Sequence, residues 1–178
     1  GTERIEDELL ECIPSLRIGR LDLDATRSRD AFQKIVADFE NHELDVLVGT
    51  QMITKGLDFS RLSLVGVINA DNLLYYPDFR SSERSYQLLS QVAGRAGRRK
   101  KKGKVLIQTS QPSHQILQQV LRQDYLSMFR SQLEERADFM YPPFVRLIQI
   151  TLKHRNESLL MQNAHKLAHA LRHQLPAY

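Results

Sequence analysis

Three short apolar runs, set apart by helix-length amphipathic stretches, constrain this chain most. They are Asp45-Val-Leu-Val-Gly-Thr50, Leu64-Val-Gly-Val-Ile68 and Lys104-Val-Leu-Ile-Gln108. Each is too short for a helix and is bounded by turn or charged residues. Runs of this kind read as strands covered on both faces. Between and before them lie helical patterns. Thr2 is placed to cap a helix carrying Ile5, Leu9, Leu10 and Ile13, which Pro14 stops. Arg17 to Asp22 alternates as a short strand. Ser28 is placed to cap a helix with Ala31, Phe32, Ile35, Val36 and Phe39 on one face. Glu83 to Ala93 forms another helix, with Leu88, Leu89 and Val92 inward. This alternation predicts an α/β fold, a parallel sheet with helices on both faces.

After residue 110 the pattern changes. Ser113 to Met140 is almost wholly helical, and Pro142-Pro143 breaks it. Phe144 to Leu152 alternates with period two, which predicts a half-exposed strand. Asn156 to Leu175 follows as a helix with a stripe at Leu160, Ala164, Leu167, Leu171 and Leu175. The expected division is residues 1–132 as one α/β domain and 133–178 as the opening of a second, truncated α+β piece. The start at Gly1 and the stop at Pro176-Ala177-Tyr178 read as the ends of a segment of a longer protein.

Composition excludes several classes. With 8 Gly, 6 Pro and 1 Cys in 178 residues, the chain is neither collagenous nor a disulfide scaffold. No apolar run approaches a membrane span and no signal peptide is evident, so a cytoplasmic protein with no membrane contact is expected. The lone Cys12 reads as a small buried hydrophobe. The net charge of +4 conceals a split. Residues 1–90 carry 10 Lys/Arg against 16 Asp/Glu, and residues 91–178 carry 15 against 5. A basic half points toward a polyanionic partner.

The sharpest motif is Gln91-Val-Ala-Gly94-Arg95-Ala-Gly97-Arg98. Two glycines three residues apart share a helix face and admit a close neighbour. Two guanidinium groups on that edge suit polyphosphate oxygens, each capable of bidentate contact. A merely solvated basic helix end would leave the glycines unexplained. The second motif, Gly49 to Phe59, directly follows a strand, where open α/β sheets bind ligands. Within it Gly56 permits close backbone approach, Asp58 suits a ribose hydroxyl, and Thr50 and Gln51 are placed to reach a phosphate backbone.

Together the strings GTQMITKGLDF and QVAGRAGR resemble motifs V and VI of superfamily 2 helicases. The longer string NADNLLYYPDFRSSERSYQLLSQVAGRAGR, with GTERIEDEL before it and YPPF after it, resembles the bacterial primosomal replication-restart helicases. That resemblance implies that residues 1–132 are a second RecA-like lobe and that the remainder opens a C-terminal DNA-binding domain. It implies that Arg95 and Arg98 contact the γ-phosphate, with Arg98 the arginine finger. Gly56, Asp58, Gly94 and Gly97 would line the nucleotide, and Gln91 would link nucleotide state to the DNA track. Thr50, Gln51 and Lys55 would lie toward DNA. The parent would be a monomeric 3′–5′ DNA helicase using ATP and Mg²⁺, acting on branched and single-stranded DNA with primosome proteins and single-strand-binding protein. The family's zinc lies in a cysteine-rich segment that this chain does not contain. Nor does the chain contain a G-x-x-x-x-G-K-[ST] loop or an acidic Walker B box, so it would be half of an ATPase site, inactive alone.

Two other readings remain open from the residues: a non-enzymatic module binding DNA or a partner, and another superfamily 2 translocase. Arg20-Leu-Asp22-Leu-Asp24 resembles a family segment but receives no chemistry. The basic run of residues 98–104, including Arg99, Lys100, Lys101 and Lys102, fits phosphate contact and a solvated loop equally. Tyr75, Tyr76 and Phe79 fit base stacking or packing around Pro77. His165, His169 and His173 recur every four residues, a chelating spacing, yet a hydrated helix flank explains them more simply, so no metal site is assigned.

Overall fold

The computed structural model describes residues 1–22, 29–50, 59, 62–95 and 103–174. It divides into two compact units, Gly1–Glu135 and Arg136–Tyr178. The first unit is mixed α/β, as the apolar runs require. Its helices and strands are α1 (Thr2–Cys12), β1 (Ile18–Leu21), α2 (Arg29–Glu40), β2 (Val46–Gly49), β3 (Leu64–Val67), α3 (Asp71–Leu74), α4 (Ser81–Arg95), β4 (Lys104–Ile107) and α5 (Gln115–Arg122). Helix α6 (Tyr125–Asp138) runs across the boundary, and α7 (Glu157–Gln174) lies in the second unit.

All strand pairing among the described residues is parallel, in two separate pairs. β1 lies beside β2 with Ile18 opposite Val46, and β3 lies beside β4 with Leu64 opposite Lys104. Helices α1 and α2 pack against the first pair. Gly19 of β1 is the tight point there. A Cβ on it would fall 2.7 Å from Leu44 Cδ1 and 2.9 Å from Leu47 Cδ2, so a larger residue would push these leucine ends off the strand.

The start of this pair is held by Arg17 and Asp45. The Arg17 guanidinium donates to both carboxylate oxygens, at 2.9 Å from Nε and 2.7 Å from a terminal nitrogen, and the Arg17 amide adds a third bond at 3.0 Å. Those side-chain bonds, with the backbone bond behind them, lower the Asp45 pKa to about 2. A carboxylate depressed below its unfolded pKa of about 3.9 adds stability above that value and loses it as pH falls toward 2. Acid titration of unfolding should therefore show a loss between pH 5 and pH 2 that Asp45→Asn reduces; an unchanged acid limb would contradict it.

The main core belongs to the second strand pair. Leu74, Tyr86, Leu89, Ile116, Leu117, Val120 and Met128 form one buried cluster, with Val67 and Ile107 packed against it. The opposite face of β3–β4 is open. Leu64 is 52% and Leu106 61% exposed. Small parallel sheets flanked by helices stand as expected, but burial does not extend to Leu64 and Leu106, because a continuous apolar run does not say which face is covered.

Other expectations also change. Thr2 does not cap α1; Gly1 stands at the N-cap, and the Thr2 hydroxyl donates to Asp22 Oδ2 instead. Cys12 is exposed, on a helix with no buried residue. The stretch from Ser113 to Met140 holds two helices. Gln123 turns left-handed at φ 54°, and the Asp124 carboxylate accepts from the Ser127 amide at 2.9 Å to start α6. Residues 144–152 form no strand: Phe144, Leu147, Ile148, Ile150 and Leu152 are all exposed. A strand needs a hydrogen-bonding neighbour, and no described segment pairs with them. In α7, Leu160, Ala164, Leu167 and Leu171 are half-buried as the stripe predicts, and no residue of the helix is fully buried. The proposed cap Ser28 and the last stripe position Leu175 lie outside the described residues.

Candidate functional site

Helix α4 is the element that positions the arginine motif. Its first turn is set by Asp78, whose carboxylate accepts from the Arg80 amide at 2.8 Å and from the Arg84 guanidinium at 2.7 Å. The Arg80 amide bond leads in holding the Asp78 carboxyl below its ordinary range. Further along, Ser85, Tyr86, Leu89 and Val92 are buried. That inward row fixes the rotation of the helix, so Gln91 and Gly94 emerge on the exposed side. Nothing lies within 4 Å of where a Cβ on Gly94 would stand. No described backbone presses on this glycine, so close approach here is left to whatever docks on that face.

The loop after β2 is framed from both ends. Gly49 closes the strand and Thr50 is exposed just beyond it. At the far end Phe59 is buried, its ring edge-on to Phe39 of α2 with centroids 4.8 Å apart. Gln51, Lys55, Gly56 and Asp58, between these anchors, lie outside the described residues, as do Gly97, Arg98 and Arg99 to Lys102. The structure therefore places Thr50, Gln91, Gly94 and the backbone of Arg95.

At the carboxyl ends of β3 and β4 a polar lock joins the two strands to α3. Asp71 accepts from the Ser110 amide at 2.9 Å and from the Thr109 hydroxyl. The Ser110 side chain first, then the Thr109 hydroxyl and the Ser110 amide, hold its carboxyl below the ordinary range. The Asn69 amide donates to Gln108 Oε1 at 3.1 Å. Tyr75 is drawn into the same region. Its hydroxyl donates to Gln111 Oε1, and its ring stands edge-on to His114 at 5.9 Å. Tyr75 is thus tied to the Gln111–His114 segment while 53% of it stays exposed. The Phe79 ring lies 5.2 Å from the Arg80 guanidinium, and Tyr76 is 60% exposed.

One constellation carried no assigned chemistry in the sequence. Arg20, three-quarters buried, is surrounded by Glu3 at 3.3 Å, Glu6 at 3.3 Å and Asp22 at 3.0 Å. It ties α1 to the carboxyl end of β1, the end where α/β sheets take ligands. The signal was present in Glu3 and Glu6 of α1 and in Asp22 beside Arg20, but Glu3 and Glu6 are remote from Arg20 in the sequence. Among the described residues no group of three or more His, Cys, Asp or Glu is placed to hold a metal ion, and no helix is long and apolar enough to cross a membrane.

Residues 2–100 match the family described as the helicase conserved C-terminal domain. The chain belongs to that family. The matched stretch contains both the loop after β2 and the arginine motif of α4. Curated relatives carry the name replication restart protein PriA. The chain is 44% identical to that of Bacillus subtilis (strain 168) over 172 residues, which is 97% of this chain and 21% of the relative. It is 39% identical to that of Chlamydia pneumoniae over 175 residues, 98% of this chain and 23% of the relative. It is 43% identical to that of Treponema pallidum (strain Nichols) over 171 residues, 96% and 26%. The chain thus spans about a fifth to a quarter of these relatives' length.

Proposed function

We propose that this helicase C-terminal domain works as the second lobe of a two-lobed, ATP-dependent 3′–5′ DNA helicase that acts at stalled forks in replication restart. Residues 1–132 form the lobe, and residues 133–178 open a DNA-binding domain. The observation that carries this reading is the placement of α4. A helix locked by Tyr86, Leu89 and Val92 presents Gln91 and an uncovered Gly94, and leads directly into Arg95 and the motif that ends at Arg98. An open Gly94, followed in the sequence by Arg95 and Arg98, fits a polyphosphate brought in by a facing lobe.

In this reading Mg²⁺-ATP supplies the phosphoryl group, and the facing lobe holds it. Arg95 and Arg98 bind the γ-phosphate oxygens, Arg98 stabilising the charge that develops in transfer. Gly56, Asp58, Gly94 and Gly97 line the nucleotide. Thr50, Gln51 and Lys55 touch the DNA backbone, and Gln91 joins the two functions. Both lobes grip the γ-phosphate only while it is present, so hydrolysis biases the pair toward opening, and repeated closure becomes stepping along the strand. The parent acts as a cytoplasmic monomer on branched and single-stranded DNA with primosome proteins and single-strand-binding protein.

This chain contains no phosphate-cradling lysine loop of its own. The purified chain should therefore show no ATP turnover above background, with or without single-stranded DNA. Turnover by the chain alone would overturn the half-site reading.

A further inference from the structure

Helix α7 brings two imidazoles together. His169 and His173 are four residues apart on one face, their ring centroids are 4.3 Å apart, and their Nε2 atoms approach to 3.1 Å. Both rings are exposed. A neutral pair at this separation can share one N–H···N hydrogen bond. The same separation is also the bite of two ligands on one metal ion. Two nitrogens each about 2.0–2.1 Å from a zinc-sized ion stand about 2.9 Å apart at a right angle and about 3.4 Å apart at a tetrahedral one. The observed 3.1 Å falls between those limits.

We infer that His169 and His173 form a two-ligand surface site for an imidazole-preferring divalent transition ion, zinc, copper or nickel in class, with water completing the coordination. Two ligands suffice for modest affinity because the second bond forms within the same helix face. His165 stands four residues before His169, and the hydrogen-bonded pair is formed without it. The site therefore singles out one of two pairs that the sequence spacing offers equally. His173 stands in the last turn of α7, so a bridging ion also clips that turn to the one before it.

Isothermal titration of the untagged chain with Ni²⁺ tests this, with hydrogen exchange of the amides of residues 170–174 as a second readout. Saturable binding is expected, together with slower exchange in that turn. His169→Ala should weaken binding by about tenfold or more, since it leaves no two imidazoles four residues apart, and His173→Ala should do the same, since the remaining His165–His169 spacing lacks the observed ring contact, while His165→Ala should change it by less than about twofold. Both variants keep Cys12 and the other histidines, so binding elsewhere is common to all. No saturable binding at millimolar Ni²⁺, equal affinity in His173→Ala, or an equal loss in His165→Ala would each overturn the site.

Discussion

In the parent protein, Arg98→Ala should reduce kcat for DNA-stimulated ATP hydrolysis by about 10³-fold, the magnitude typical of a lost arginine finger. The expected pattern is specific. A group that meets charge developing in the transition state lowers kcat and kcat/KM together and leaves KM for ATP nearly unchanged. Arg95→Ala should act differently if it chiefly grips the ground-state γ-phosphate, raising KM as well. Arg98→Lys should recover little, because an ammonium cannot reproduce the planar two-pronged contact. Steady-state hydrolysis with saturating single-stranded DNA checks all three, and a loss below about fivefold for Arg98→Ala removes Arg98 from the role.

Leu89→Ala should be the most damaging substitution on the scaffold side. Leu89 is 1% exposed at the centre of the cluster formed by Leu74, Tyr86, Ile116, Leu117, Val120 and Met128. Truncating a leucine so enclosed costs about 3 kcal/mol, from lost burial and the cavity left behind. The same substitution at Leu64, on the open face of β3, should cost less than about 1 kcal/mol, because half of that side chain already meets water. Urea unfolding of the chain separates the two. Equal losses would mean that the open face of β3–β4 is covered in solution. Since Leu89 sits two residues before Gln91 on the same helix, its loss also loosens the element that aims the arginine motif.

The comparison of these two leucines shows where the sequence was legible and where it was not. The run around Leu64 and the run at Val46–Gly49 look alike as text, and both are strands. Burial depends on what packs over each face, which is non-local, so Leu64 and Leu106 escaped prediction. Phe144–Leu152 alternates with period two yet forms no strand, because a strand also needs a partner to bond with. Glycine was legible as a close-approach residue in kind and not in place. Gly19 is pressed by Leu44 and Leu47, while Gly94 is open. Asp22 stands beside Arg20 in the sequence, but the other two acids, Glu3 and Glu6, come from a helix on the far side of a turn. For the candidate site, the motif strings carried the reading and α4 accounts for how half of it is presented. The loop from Gln51 to Asp58 and the residues from Ala96 to Lys102 rest on the sequence.

Binding of ADP with aluminium fluoride to the parent protein in the presence of Mg²⁺ and single-stranded DNA tests the central claim most directly. The planar fluoride mimics the phosphoryl group in transfer, so a finger should favour it strongly over ADP alone. The wild type should show a preference of about 10²-fold or more. Arg98→Ala should abolish this preference while ADP affinity stays within about fivefold. An Arg98→Ala protein that keeps the full preference would contradict the claim that this lobe supplies the arginine finger.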